Sequence, residues 1–198
     1  SKTFRKSIDT NIIAITGSCG KTTLKELLGN VLSKISKVSI SPKSYNNKFG
    51  VPLSLFNLKQ NDELGILEVG MDKKGEIDYL TRIIEPNIGV ITNINYAHAK
   101  NFKNIKQIAL AKSEIINNIK SNGSIILNAD DKFFKLHKQI SQKKNLKLIS
   151  FGIKNNIADI KLIDIKSFRK NFKIKIRFMN KIKYFIISND YQNNIYNI

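Results

Sequence analysis

The sequence predicts an α/β fold on a mostly parallel sheet, and three observations predict it. Short apolar, β-branched runs alternate with stretches of helical spacing over about 150 residues. Several of those runs end in glycines or polar clusters, where ligands sit in such sheets, beyond the carboxyl ends of the strands. After Gly152 the period changes to two, so a small antiparallel β meander is expected at about 157–188.

The elements follow in order. Residues 11–16 (NIIAIT) read as a buried strand ending at a glycine, and 22–32 place Leu24, Leu27, Leu28, Val31 and Leu32 on one helix face. A short strand is expected at 37–41, a polar loop at 44–49, and a short helix at 51–57 with Pro52 in its first turn. Residues 64–69 form the next buried strand and 76–84 a helix closed by Pro86. A strand at 88–94, a helix at 105–119 broken by Gly123, a strand at 124–127, a helix at 131–140 and a strand at 147–151 complete the alternation. In the meander, 159–165, 172–178 and 183–187 are strands with a turn at Asn180-Lys181, and 191–198 read as the first turns of a helix. Residues 1–10 read as a linker.

Composition limits the function. With 41% hydrophobic and 25% charged residues the chain is globular rather than disordered. It has no apolar run near the roughly 20 residues that span a bilayer, so no membrane insertion is expected. A single cysteine, Cys19, rules out an intrachain disulfide and a cysteine metal cluster. A cytoplasmic location is the expectation. Lys plus Arg is 34 against 15 for Asp plus Glu, a net charge of +19. That balance suggests a nucleic-acid binder, but Ile and Asn are enriched together with Lys, as compositional drift produces. The lysines are spread along the chain without a basic module, so nucleic acid is not the expected partner.

The strongest motif is Gly17-Ser18-Cys19-Gly20-Lys21-Thr22-Thr23, between strand and helix. Glycines let backbone N–H groups wrap a phosphate at a helix N-terminus. Lys21 can neutralise phosphate oxygens and the Thr22 hydroxyl can hold Mg²⁺. The sheet is therefore expected to be P-loop-type. Cys19 is not read as a nucleophile. Glu68 ends an apolar strand, where a carboxylate is costly to bury without a cation, and Mg²⁺ would supply one. His98 follows the 88–94 strand and by position alone is open between an exposed side chain and a functional one. His137, in a lysine-rich helix, reads as solvated. Lys112 lies on a fairly apolar helix and reads as snorkelling, the alternative being a lysine that faces the phosphates. Asp131 can cap the next helix, and Asn128 and Asp130 can contact a nucleotide base or ribose.

Taken in order, TGSCGKTT, EVGMD, NINYAH, ALAKSE and LNADD resemble the Mur ligase family, ATP-dependent ligases that build the peptide of peptidoglycan precursors. The strings NNKFGVPL, EVGM and GEI are most similar to the branch that joins D-alanyl-D-alanine to UDP-N-acetylmuramoyl-tripeptide. The resemblance covers about residues 10–198 and implies ATP and Mg²⁺ as cofactors. It implies that residues 17–23 hold the ATP phosphates, that Thr22 and Glu68 serve one Mg²⁺, and that His98 helps bind a second. It makes Lys21, His98 and Lys112 the catalytic set, with Lys112 at the position some relatives carry as a CO₂ adduct, and it places Asn47 near the reacting groups. Asn128 and Asp130 would lie near adenosine. The implied chemistry is an acyl phosphate formed from ATP and a substrate carboxylate, then attacked by the dipeptide amine.

The family has three domains, and residues 11–198 correspond to the central ATPase. The N-terminal domain for the UDP end and the C-terminal ligase domain are expected to be missing, with the central one truncated at its end. Three other readings remain: another ligase of the same superfamily, MurE-like or folylpolyglutamate synthase-like, a basic nucleotide-dependent nucleic-acid binder, and a non-catalytic interaction domain.

Overall fold

The protein is described by a computed structural model over residues 2–96, 101–169 and 171–188. Strand β1 (Asn11–Thr16) lies between β3 (Leu64–Glu68) and β4 (Ile88–Ile91), parallel to both. Outside β3 is β2 (Val38–Ile40), and beyond β4 come β5 (Ser124–Asn128) and β6 (Lys147–Gly152), all parallel. The meander β7 (Ile160–Phe168), β8 (Asn171–Phe178) and β9 (Lys181–Ser188) continues the same sheet. Its join to β6 is a parallel seam of two residue pairs, Phe151 with Ile160 and Gly152 with Lys161. The strand order is β2-β3-β1-β4-β5-β6-β7-β8-β9. The expected mostly parallel sheet with an antiparallel end is thus observed.

The order reverses direction at β1, which makes the end of β1 the natural ligand position. Both faces of β1 are covered, so it is apolar throughout rather than alternating. Ile13 and Ile15 pack with Ile66 and Val90 beneath Leu24 and Leu28 of α2 (Lys21–Leu32). Ile12 and Ala14 face the larger core, to which α3 (Gly50–Phe56), α4 (Glu76–Ile84), α5 (Ile105–Asn117) and α6 (Phe134–Lys143) contribute Leu55, Leu80, Ile115 and Phe134.

Four local differences from the sequence reading have physical causes. The expected linker contains a short helix, α1 (Lys2–Lys6), docked by Arg5, whose buried guanidinium donates to the carbonyls of Ile84 and Ile8. Strand β4 stops at Ile91 because the next residues turn onto the loop after β1. Helix α6 starts three residues later than expected: Asp131 is spent on a turn, accepting from the N–H groups of Phe133 and Ile94 at 2.8 and 2.7 Å. His137 is buried rather than solvated, with its Nε2 3.1 Å from the Ala109 carbonyl oxygen. Residues 191–198, expected to begin a helix, lie outside the described residues.

Candidate active site

The loop after β1 is held from β4. Gly17 has φ +145°, and a Cβ there would lie 1.9 Å from the Thr92 hydroxyl, so only glycine lets these strands' ends approach. Thr92 donates to the Cys19 carbonyl at 2.7 Å, and Asn93 accepts from the Cys19 N–H at 3.1 Å. The Ser18 N–H donates to the Asn93 carbonyl, and its hydroxyl exchanges hydrogen bonds with the Asn95 backbone. Gly20, with φ +80°, then starts α2 without a side-chain cap. The first-turn N–H groups and the helix dipole therefore point at the loop, an arrangement suited to phosphate. The Lys21 ammonium folds back onto the Gly17 carbonyl at 3.1 Å.

Across from the loop, Glu68 ends β3 at 1% exposure. Thr22 donates to its Oε2 at 2.7 Å and Asn46 to its Oε1 at 2.7 Å. Among the described residues these two neutral donors are its side-chain partners, and no cation joins them. A buried carboxylate beside a hydroxyl, an all-oxygen donor pair, fits a hard divalent cation such as Mg²⁺. Asn46 was not singled out from the sequence. It reaches Glu68 because its carbonyl also accepts from the Gly70 N–H at 2.7 Å, and a Cβ on Gly70 would meet its amide at 2.8 Å.

Lys112 is not a snorkelling residue. It is 1% exposed on α5, and burial together with the neighbouring Lys21 charge lowers its pKa to about 7, against a smaller raising effect of Cys19. Lys112 is therefore within electrostatic reach of Lys21 and Cys19 in the phosphate loop. Glu114, also on α5, accepts from the Gly75 and Asp78 N–H groups and so docks α5 onto the start of α4.

Three other expected residues sit differently from one another. Asn47 is exposed, and its side chain accepts from the Phe49 and Gly50 N–H groups at the start of α3. Asn128 donates to the Thr92 carbonyl and accepts from the Asp130 N–H. The Asp130 carboxylate accepts from the N–H groups of Ile153, Lys154 and Asn155, and its pKa lies below the usual carboxylate value although burial opposes this. His98 lies outside the described residues. The structure therefore brings together residues 17–23, Glu68 and Lys112. It puts Asn128 and Asp130 together at the end of β5, with Asn47 on the rim.

A parallel sheet with a Gly-Lys-Thr turn at the end of its switch-point strand is a phosphate-loop α/β domain. The comparisons narrow this class. A family model described as the Mur ligase middle domain matches residues 15–198, and the chain belongs to that family. It is 40% identical over 150 residues to the UDP-N-acetylmuramoyl-tripeptide--D-alanyl-D-alanine ligase of Buchnera aphidicola (subspecies Acyrthosiphon pisum), a match over 76% of this chain and 32% of that protein. MurF from Acinetobacter baumannii superposes with a TM-score of 0.87 at 29% identity, covering 98% of this chain and 42% of that one. MurF ligase from Thermotoga maritima in complex with ADP gives 0.81 at 27% identity, covering 93% and 43%. The chain spans about a third of the length of the curated relatives it matches.

Proposed function

We infer that this chain is the ATP-binding middle part of a ligase that joins D-alanyl-D-alanine to UDP-N-acetylmuramoyl-tripeptide. The observation that carries the reading is the uncapped phosphate loop facing a buried Glu68 that the Thr22 hydroxyl already touches. The names of the relatives support the substrates.

Residues 17–23 would hold the ATP phosphates through the first-turn N–H groups and Lys21, which swings from the Gly17 carbonyl onto phosphate oxygen. Thr22 and Glu68 would hold one Mg²⁺, and His98 a second by resemblance alone. When bound, Mg²⁺ screens phosphate charge and polarises the phosphoryl group under attack. The substrate carboxylate attacks the γ-phosphorus and ADP leaves. The dipeptide amine then attacks the acyl carbon, phosphate departs and an amide remains. The chain's share is positioning and charge neutralisation rather than nucleophilic attack. Lys112, with its pKa about 7, carries a substantial neutral amine fraction at neutral pH, the form that adds CO₂, which supports a carbamate there. Asn47 would approach the reacting groups from the rim. Asn128 and Asp130 would act on the adenosine side by shaping the 153–155 loop.

Melting temperatures with and without Mg-ATP test the site. Binding to the folded state raises stability by roughly 2.7 kcal/mol at a hundredfold excess over Kd. The rise is expected in the wild type and not in Lys21→Ala. Its absence in the wild type, or its persistence in the variant, overturns the phosphate-loop reading. The domains for the UDP end and for completing the site are proposed to lie outside these 198 residues, so this chain alone is expected to show little ligase turnover. A steady-state assay with both substrates checks that, and normal turnover overturns it. The same reading puts the reaction in the cytoplasm; among the described residues, no helix is long and apolar enough to cross a membrane.

A further inference from the structure

Lys25 is completely buried on α2, a costly place for an ammonium group unless every donor is used. It donates to the carbonyls of Ser41 and Lys43 and pairs with Glu26 at 3.2 Å, so its three N–H donors have three acceptors.

Its partners show what it does. The hydroxyl of Ser41 accepts from the Glu68 N–H at 3.2 Å, and Lys25 holds the carbonyl of that same Ser41 at 2.6 Å. One helical turn earlier on α2, Thr22 donates to the Glu68 carboxylate. The hydrogen bonds close a circuit: Thr22 to Glu68, Glu68 to Ser41, Ser41 to Lys25, and back along α2. The segment that Lys25 anchors at 41–43 leads directly to Asn46, the second donor to Glu68. Gly29, one turn beyond Lys25, allows the reach: a Cβ there would lie 2.9 Å from Ile40, so α2 packs tightly on β2.

We propose that Lys25 is a positioning residue for metal binding: it ties the segment carrying Ser41 and Asn46 to the helix carrying Thr22, and so holds the Glu68 carboxylate in register with the Thr22 hydroxyl. This rests on the reading of Thr22 and Glu68 as a Mg²⁺ site. Buried and with its donors taken by Ser41, Lys43 and Glu26, Lys25 acts through its neighbours rather than on a ligand directly.

The test compares wild type, Lys25→Met and Ser41→Ala. The last keeps the carbonyl that Lys25 uses and is the safer variant to fold. The first readout is amide exchange without ligand at Gly70, whose N–H bonds the Asn46 carbonyl. In Lys25→Met it is expected to speed up by about tenfold or more, while amides of β1 and β4 keep wild-type rates. The second readout is ADP affinity in Mg²⁺ and in EDTA. The Mg²⁺ enhancement is expected to fall by about tenfold in Lys25→Met and by less in Ser41→Ala, with affinity in EDTA unchanged. Unchanged exchange at Gly70, or an equal loss of affinity with and without Mg²⁺, overturns the proposal. A wild type whose ADP affinity ignores Mg²⁺ removes the metal reading and the proposal with it. A wild type that responds, beside a Lys25→Met that responds equally, removes the proposal alone.

Discussion

Two acidic strand ends lie in the same sheet and are built in opposite ways. At the end of β3, the buried Glu68 meets two neutral donors, from Thr22 and Asn46. Just past the end of β5, Asp130 collects three successive backbone N–H groups, from residues 153 to 155. The second carboxylate is stabilised by its surroundings and needs nothing more. The first is buried with two neutral donors, a setting that favours a bound cation. Both looked like site residues in the sequence; what separates them is where their hydrogen bonds go.

Replacing Glu68 breaks the comparison most sharply. Glu68→Gln keeps the shape and removes the charge, and is expected to lower nucleotide affinity in Mg²⁺ by about a hundredfold while sparing affinity in EDTA, as titration calorimetry can read. Lys112 comes next. Its pKa is 10.5 unfolded and about 7 folded. Between those values the unfolded chain binds the extra proton, so stability rises as pH climbs from about 7 towards 10. Lys112→Met is expected to gain about 2 kcal/mol at pH 7, with the gain fading by pH 10 in denaturant titrations. Asp130→Asn is expected to lose about 1.5 kcal/mol of stability. Its nucleotide affinity should fall by less than about threefold, because the carboxylate acts on the 153–155 loop.

The smallest effect concerns His137. Burial lowers its pKa below the usual 6.5, so the neutral form is the folded one. Its stabilisation is complete above pH 6.5 and is lost as pH falls through the lower folded value. His137→Gln should flatten the acid side of the stability profile by about 1 kcal/mol, measured as melting temperature between pH 7 and 5.

The parallel sheet was legible because β-branched runs and helical spacing repeat in long, clear segments. The phosphate loop was legible because its glycines, lysine and threonine must be adjacent in sequence. Residues whose role depends on contacts across the fold were not. Lys25 is one lysine among many until α2 packs on β2, and Asn46 is told from Asn47 only by the loop that turns one inward and the other to the rim. His137 sits among lysines in sequence, yet the packing of α6 on α5 buries it. Arg5 needs the Ile84 carbonyl, 79 residues away, to turn an expected linker into a docked helix.

The narrow seam between β6 and β7 has a mechanical consequence. Among the described residues, two ladder pairs and the hydrogen bonds between Ser150 and Asp159 join the meander to the parallel strands, whereas β7, β8 and β9 pair along nearly their whole lengths. A pull on the last strand loads the hairpin rungs one after another, as in opening a zip. The six parallel strands, clamped between helices, would have to slide past one another together. Under tension the meander is therefore the fuse, and the phosphate loop at the end of β1 lies on the protected side of it.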